Sequence, residues 1–220
     1  MDEIGILPRY RGNLVPDGWW SYDYYTSCRH GLCDAHLLRE LIFFAELSEE
    51  QKSWAAPLKG LLLEIKSKVE QVRESASESL DSEEQEAYCH RYNELVEQGL
   101  KVHQPGALPV APAEPGVAAQ TSSWHKQARN LLLRLKRKKQ EPLSFMRDFT
   151  VPFDNNQAER DLRMVKLQQK VSGCFRSEEG ARHFCRIRGY ISMMRKQEKG
   201  VLSALEKACR GAPLSPTRHA

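Results

Sequence analysis

Two cysteines and two histidines lie close together near the N-terminus, at Cys28, His30, Cys33 and His36. Thiolate and imidazole are the usual ligands of zinc, so this group could hold a metal ion. The spacing does not match a standard pair of zinc-binding turns, and His36 falls in the predicted first turn of a helix. We therefore favour the alternative of reduced, buried thiols beside a hydrogen-bonded histidine.

Glu159 is a carboxylate with basic residues near it on the same predicted helix face. Residues four and seven positions further along a helix share its face, which places Arg163 and Lys166 beside it. This pattern indicates either a site that combines a carboxylate with cations or an exposed ladder of ion pairs, which contributes little to stability. From spacing alone the ion-pair ladder is the better interpretation.

Asp17 is a second carboxylate in a distinctive position. The preceding residues, from Arg11 to Val15, are predicted to be extended, and they end in Pro16-Asp17-Gly18. Proline and glycine commonly mark the exit from a strand. Asp17 is therefore predicted to lie at a strand end.

The distribution of charge along the chain is more informative than the net charge of +4. From Asp34 to Leu100 there are 7 Lys/Arg against 15 Asp/Glu, whereas from Glu159 to Arg210 there are 13 against 6. A basic run, from Arg134 to Lys139, precedes the second region. The C-terminal half suits a polyanion such as DNA, although a solvated helix face or a favourable helix dipole would also explain these charges.

The composition is that of one core with a smaller helical appendage, since 40% of the 220 residues are apolar. No apolar run approaches the roughly 20 residues needed to span a bilayer, and the first residues lack the features of a secretory signal. The six cysteines are too sparse for a disulfide scaffold. These features predict a cytoplasmic protein without a membrane segment.

Helices dominate the predicted elements. Apolar periodicity indicates a helix over about 35–45, and Ser48 with Gln51 resembles a capping box that opens a second. That helix and another over about 83–102 should form an antiparallel hairpin. Residues 103–120, rich in proline and alanine, are predicted to form a loop.

Three regions of helix follow this loop. Ser122 or Ser123 is predicted to cap a helix that runs to about Lys139, and Asp154-Asn155-Asn156 supply caps for the helix of Glu159. Gly173 interrupts the latter. Residues from Gly180 to about Ala208 should form two helices that break near Gly200, with these side chains directed inward: Phe184, Ile187, Tyr190, Ile191, Val201, Leu202 and Leu205.

Two whole segments carry a resemblance to a known family. They are HGLCDAHLLREL and VPFDNNQAERDLRMVKLQQKVSGCFRSEEGARHF, and DNNQAER is the most specific stretch. The chain resembles the transposases of the insertion sequence 66 family over nearly its whole length. This resemblance implies an RNase H-like fold in which two aspartates and a glutamate hold two Mg²⁺ or Mn²⁺ ions for cutting and joining DNA.

The resemblance also implies roles for individual residues. Asp17 matches the second family aspartate and Glu159 the family glutamate, so both would be catalytic metal ligands. Lys166 matches a basic residue that commonly follows the glutamate and contacts DNA, and Arg163 is a weaker candidate for the same role. Further candidates for DNA binding in this basic region are Arg160, Lys170 and Arg176. Asp154, Asn155 and Asn156 are expected to have structural roles.

The expected fold class is α/β, an incomplete RNase H-like core with a large helical insertion, predominantly α-helical in this chain. Residues 1–47 would form the partial core, 48–145 the insertion, 146–210 the C-terminal helices with the catalytic glutamate, and 211–220 a disordered tail.

One departure from the family pattern concerns the first catalytic aspartate. Only Asp2 and Glu3 precede Asp17, and neither lies in a plausible strand, so we expect a truncated copy that is inactive by itself. The leading hypothesis is a metal-dependent transposase. The alternative is a non-catalytic DNA-binding or regulatory fragment, whose partners would be DNA and either further copies of itself or intact transposase.

Overall fold

The computed structural model describes residues 7–75, 77–103, 115–171 and 173–215. These residues are mostly helical, as the sequence predicts, with one two-stranded parallel sheet of β1 (Asn13–Leu14) and β2 (Arg29–His30). The helices are α1 (Asp34–Leu47), α2 (Glu49–Arg73), α3 (Ser82–Val102), α4 (Pro115–Arg137), α5 (Ser144–Arg147), α6 (Asn156–Val171), α7 (Glu178–Lys196) and α8 (Val201–Cys209). None of the described helices is long and apolar enough to cross a membrane.

The chain forms two compact units, Met1–Asn155 and Asn156–Ala220. The first contains the sheet and α1 to α5, and the second contains α6 to α8. The finer division of the sequence into partial core, insertion and C-terminal helices remains a prediction.

The predicted helical hairpin is confirmed by α2 and α3. Ser48 caps α2 by accepting a hydrogen bond from Gln51 N at 3.2 Å, as its spacing indicates. Arg91 makes two hydrogen bonds of 2.7 Å to the Glu64 carboxylate, while Lys68 pairs with Glu84 at 2.6 Å. Because the partner number falls as the residue number on α2 rises, the two helices run antiparallel.

The core of the first unit is built where α1 to α4 meet. Trp54, Leu58, Leu62 and Tyr92 are fully buried there. Gly99 permits a close approach of α3 to α4, since a Cβ atom at that position would lie 2.8 Å from Leu132 Cδ2.

The segment from Glu141 to Phe153 joins distant parts of the first unit. Its backbone bonds to the loop before α3, with Leu80 N donating to Met146 O at 2.9 Å and Phe149 N donating to Glu78 O at 2.8 Å. At its two ends, Leu32 N donates to Glu141 O and Asp34 N to Phe153 O, at 3.2 and 3.0 Å. Side chains of Thr150 and Asp148 bind Asn13 and Arg29 next to the sheet. This segment therefore holds the α2–α3 hairpin and the β1–β2 sheet in one unit.

The structure corrects the predicted start of α4. The helix begins at Pro115 rather than after a cap at Ser122 or Ser123, because proline has the backbone angle of a first helical turn and needs no amide partner there. The predicted loop over 103–120 is thus shorter at its C-terminal end, and its residues 104–114 lie outside the described ranges.

The second unit differs from the predicted burial at two positions. Leu202 is 84% exposed and Ile187 is 54% exposed, although both were expected to face inward. Ala204 is the buried residue of α8. Leu202 lies two positions earlier, so its side chain points to nearly the opposite face of the helix. On α7 the buried residue is Met194, two turns beyond Ile187, so the short α8 covers only one end of that face.

Part of the predicted disordered tail is placed in the second unit. Leu214 N donates a hydrogen bond of 3.1 Å to Tyr190 Oη, which itself donates to Ala204 O at 3.3 Å. Residues 216–220 of the predicted tail are outside the described ranges.

His103 is a buried titratable group in the core of the first unit. It is 4% exposed, packs edge-on against Trp54 at 5.9 Å, and shares a hydrogen bond of 2.9 Å between its Nδ1 and that of His125. Burial, with a smaller effect of His125, lowers the pKa of His103 to about 4 from the ordinary 6.5.

This shift predicts acid sensitivity. His103 is protonated more readily in the unfolded chain than in the folded chain. It therefore does not oppose folding at a pH above its pKa in the unfolded chain, and it lowers the stability of the fold as the pH falls toward its pKa in the folded chain. Between pH 6.5 and 5 the loss should be about 2 kcal/mol. Urea unfolding at both pH values should show this decrease in the wild type and a smaller one in His103→Gln. The exposed His90→Gln serves as the matched control, and an equal decrease in all three proteins would contradict the assignment.

Candidate functional site

Asp17 lies just beyond the carboxyl end of β1, as the sequence predicts. Backbone pairing with the segment that contains β2 continues past the two strands. Gly31 N donates to Leu14 O and Cys33 N donates to Pro16 O, both at 2.9 Å. The Asp17 side chain is exposed, and its Oδ1 accepts a hydrogen bond of 3.3 Å from Trp19 N. Gly18 turns the chain with a φ of +91°, an angle that favours glycine. The carboxylate is thus presented to solvent on a backbone held by the sheet.

Aromatic side chains follow this carboxylate directly. Trp20 to Tyr24 form a short 3₁₀ helix, and Trp19, Trp20 and Tyr24 are 61%, 63% and 73% exposed. Tryptophan and tyrosine are enriched at binding surfaces, so this exposed cluster is a candidate binding surface.

Each member of the Cys28–His36 group has its own partners. Cys33 Sγ lies 3.2 Å from His36 Nδ1 and donates to Asn155 Oδ1 at 3.0 Å, while Asn155 N donates back to the sulfur. Cys28 Sγ donates to Tyr10 O, and His30 Nε2 lies 2.9 Å from Tyr25 O. Burial raises the pKa of the Cys33 thiol, which favours the protonated form over a metal-binding thiolate. The arrangement agrees with buried thiols and hydrogen-bonded histidines.

One group of potential metal ligands does meet in the described part of the chain. Asp23, His30 and Glu141 offer ligand atoms that all lie within 4.8 Å of one another. Lys138 pairs with both carboxylates, with Glu141 at 3.4 Å and with Asp23. Because one ammonium group already bridges the two carboxylates, we interpret the cluster as an ion-pair network that joins the residues after α4 to the 3₁₀ helix.

Asp34 is a buried carboxyl group that the sequence patterns did not single out. It is 1% exposed at the first position of α1, and neither carboxyl oxygen has a hydrogen-bond partner among the described residues. Complete burial raises the pKa of Asp34 well above its usual value. Apolar periodicity gives no signal for such a residue, because an aspartate at a helix start normally acts as an exposed cap.

Glu159 lies in the first turn of α6, in the second unit, and is half-buried. Arg163, Lys166 and Lys170 follow on the same face at four, seven and eleven positions, and all three are exposed. Arg160 is exposed on a neighbouring face, and Arg176 is exposed in the turn before α7. None of these five basic residues forms an ion pair with the described residues, so their charges are available to a ligand.

Asp161 is a structural residue that sequence reasoning missed. It accepts hydrogen bonds from Ser192 Oγ at 2.6 Å and from Lys196 Nζ at 2.8 Å, and so ties α6 to α7. These two contacts lower the pKa of Asp161, with Lys196 contributing most. Its partners lie more than thirty positions away on another helix, so no local spacing could identify them. The face of α6 that carries Asp161 is therefore directed toward α7. Glu159 lies two positions earlier, on the opposite face of α6, which is turned away from α7.

Asp17 belongs to the first unit and Glu159 to the second, and the structure describes each carboxylate within its own unit.

Comparison with known proteins gives one family. A family model described as "Transposase IS66 family" matches residues 3–183, which is more than half of the chain. No curated protein and no solved structure matches.

Proposed function

We propose that this chain, which belongs to the IS66 family of DDE transposases, takes part in metal-dependent cleavage and transfer of DNA strands. The observation that carries this proposal is the family match over residues 3–183, which includes both Asp17 and Glu159. The exposed carboxylate at the end of β1 and the half-buried carboxylate at the start of α6 support it.

Asp17 and Glu159 are proposed to hold the metal. Carboxylate oxygens are hard donors of the kind that Mg²⁺ and Mn²⁺ prefer, so the donor set fits these ions. Both side chains are accessible at least in part, and the backbone of Asp17 is held by the sheet. Two such ions, when bound, would activate the attacking hydroxyl and stabilise the leaving oxygen of a phosphodiester. The RNase H-like core is proposed on the same family grounds.

The basic residues of the second unit are proposed to hold the DNA backbone. Arg163, Lys166 and Lys170 form a stripe on the face of Glu159, and phosphates in contact with them would pass close to that carboxylate. Arg160 and Arg176 extend the positive surface beside the stripe. These residues would position DNA without reading its sequence.

Binding to duplex DNA should be strongly salt-dependent, because each phosphate contact releases counterions. We expect the logarithm of the binding constant to fall steeply with the logarithm of the salt concentration. Replacing Lys166 by alanine should reduce the magnitude of this slope by about 1. Fluorescence anisotropy with a labelled duplex at several KCl concentrations measures both quantities.

Lys207 offers a matched control for that experiment. It is also an exposed lysine of the second unit, but it lies on α8. Lys207→Ala should leave the slope unchanged. A flat salt dependence of the wild-type protein would count against DNA binding, and equal slopes for Lys166→Ala and wild type would remove Lys166 from the interface.

A second candidate function is DNA binding without catalysis, in which the chain acts as a regulatory fragment. The five unpaired basic residues favour it, since they need no metal to contact phosphates. Its proposed partners are DNA and either further copies of the chain or intact transposase. The two functions separate on strand cleavage, which only the first predicts.

A further inference from the structure

A groove in the first unit lies beside Asp17 and has no role in the proposed metal site. It has a volume of about 950 Å³ and is lined by the segment after Asp17 and by residues of α1 and α4. Its aromatic walls are Trp19, Trp20 and Phe43, of which Phe43 is 45% exposed. Aromatic faces of this size are the surfaces on which unpaired bases stack.

The charge of the groove is complementary to a nucleic acid. Arg39, Arg134 and Arg137 line it together with one acidic residue, Glu40, which pairs with Arg134. Arg39 and Arg137 are exposed and form no ion pair with the described residues. Two unneutralised guanidinium groups are therefore available to phosphates at the rim of an aromatic groove.

The position of the groove relates it to the proposed chemistry. Trp19 N donates a hydrogen bond to the Asp17 carboxylate, so the aromatic wall begins two residues from that group. Gly18 forms the edge between them, and a Cβ atom there would lie 3.5 Å from Arg134 Nη1. A base in the groove would belong to a nucleotide within a short distance of the Asp17 carboxylate.

We propose that this groove binds a stretch of unpaired DNA, with a base stacked on Trp19 or Trp20 and the flanking phosphates on Arg39 and Arg137. A base inside a duplex is covered by its neighbours and cannot stack on a side chain, so the groove selects a strand whose bases are exposed. This inference rests on the proposed function and adds a substrate class to it: single-stranded DNA next to the Asp17 carboxylate.

The test measures the affinity of the full chain for two labelled DNA probes. One is a single-stranded deoxythymidine oligonucleotide of about 12 nucleotides, within the range of sites on single-strand-binding proteins; the other is a duplex of the same length. The Trp19→Ala/Trp20→Ala double variant should bind the single strand at least about tenfold more weakly, because stacking on each base is worth about that much. Its affinity for the duplex should change less than twofold.

Two further variants separate stacking from folding and from charge. Trp19→Phe/Trp20→Phe keeps aromatic faces and should restore most of the affinity for the single strand. Arg39→Gln/Arg137→Gln alters only exposed side chains and should weaken binding with a reduced salt dependence. Circular dichroism should show the same helix content in all variants, since Trp19 and Trp20 are largely exposed.

Other results would overturn the inference in distinguishable ways. Unchanged affinity of the double alanine variant for the single strand would reject the groove as a DNA site, while normal duplex binding would leave the proposed function intact. If the wild-type protein bound neither the single strand nor the duplex, both the groove as a DNA site and the proposed function would be rejected. If sedimentation showed that the alanine variant lost self-association but still bound the single strand, the groove would instead be a protein interface.

Discussion

Replacing Glu159 by glutamine should reduce metal-dependent strand transfer on the order of a thousandfold, which corresponds to about 4 kcal/mol of transition-state stabilisation. Glutamine has nearly the size of glutamate, but it is neutral and is a poor ligand for Mg²⁺. The position of Glu159 in the first turn of a partly exposed helix means that the substitution should not disturb folding. Strand transfer in a reconstituted system in which the wild-type chain is active measures the effect.

Glu178 is a suitable control for Glu159. It also lies in the first turn of a helix, and its exposed carboxylate pairs with Arg182 at 2.7 Å. Glu178→Gln should retain near wild-type strand transfer. Binding of Mn²⁺, followed by electron paramagnetic resonance, gives an independent readout, because Glu159→Gln should weaken it as well. Undiminished strand transfer by Glu159→Gln would exclude this residue from the metal site.

Asparagine in place of Asp34 should stabilise the protein at pH 8, because at that pH the unfolded chain gains stability by releasing the Asp34 proton. Burial raises the pKa of Asp34, so the folded chain holds this proton more tightly than the unfolded chain. Such a carboxyl group lowers the stability of the fold as the pH rises above its pKa in the unfolded chain, until the group ionises in the folded chain as well. Asparagine has the same shape and no charge at any pH, and therefore avoids this cost.

Urea unfolding at pH 5 and pH 8 checks this second expectation. The stability difference between Asp34→Asn and wild type should be larger at pH 8 than at pH 5. Asp81 provides a control, because it is an exposed cap of α3 that accepts a hydrogen bond from Glu83 N, a role that asparagine fills equally well. A destabilised Asp34→Asn protein at both pH values would mean that the carboxyl group makes a favourable contact in the fold.

Local patterns predicted the elements that depend on local interactions. The cap at Ser48, the antiparallel α2–α3 hairpin, and the strand end at Asp17 followed from residue type and spacing within a few positions. The inward set proposed for the second unit was less accurate. Periodicity identifies an apolar face, but it cannot tell whether another helix covers that face, and Leu202 remains exposed.

The candidate site shows the same division. Spacing on one helix brought Arg163 and Lys166 beside Glu159, whereas the family resemblance was needed to connect Asp17 with Glu159. The groove beside Asp17 was not predicted, because Phe43 and Arg137 reach it from helices that are distant in sequence. Asp34 was missed for a related reason: its burial arises from tertiary packing, which places an aspartate where its position at a helix start predicts solvent.

The contacts of the segment from Glu141 to Phe153 have a consequence for synthesis on the ribosome. Leu14 and His30 can pair early, and α2 can meet α3 as soon as both have emerged. The bonds from Met146 and Phe149 to the loop before α3, and from Phe153 to the start of α1, form only after about residue 155 has left the exit tunnel. The first unit therefore completes its fold only after this segment has emerged from the ribosome.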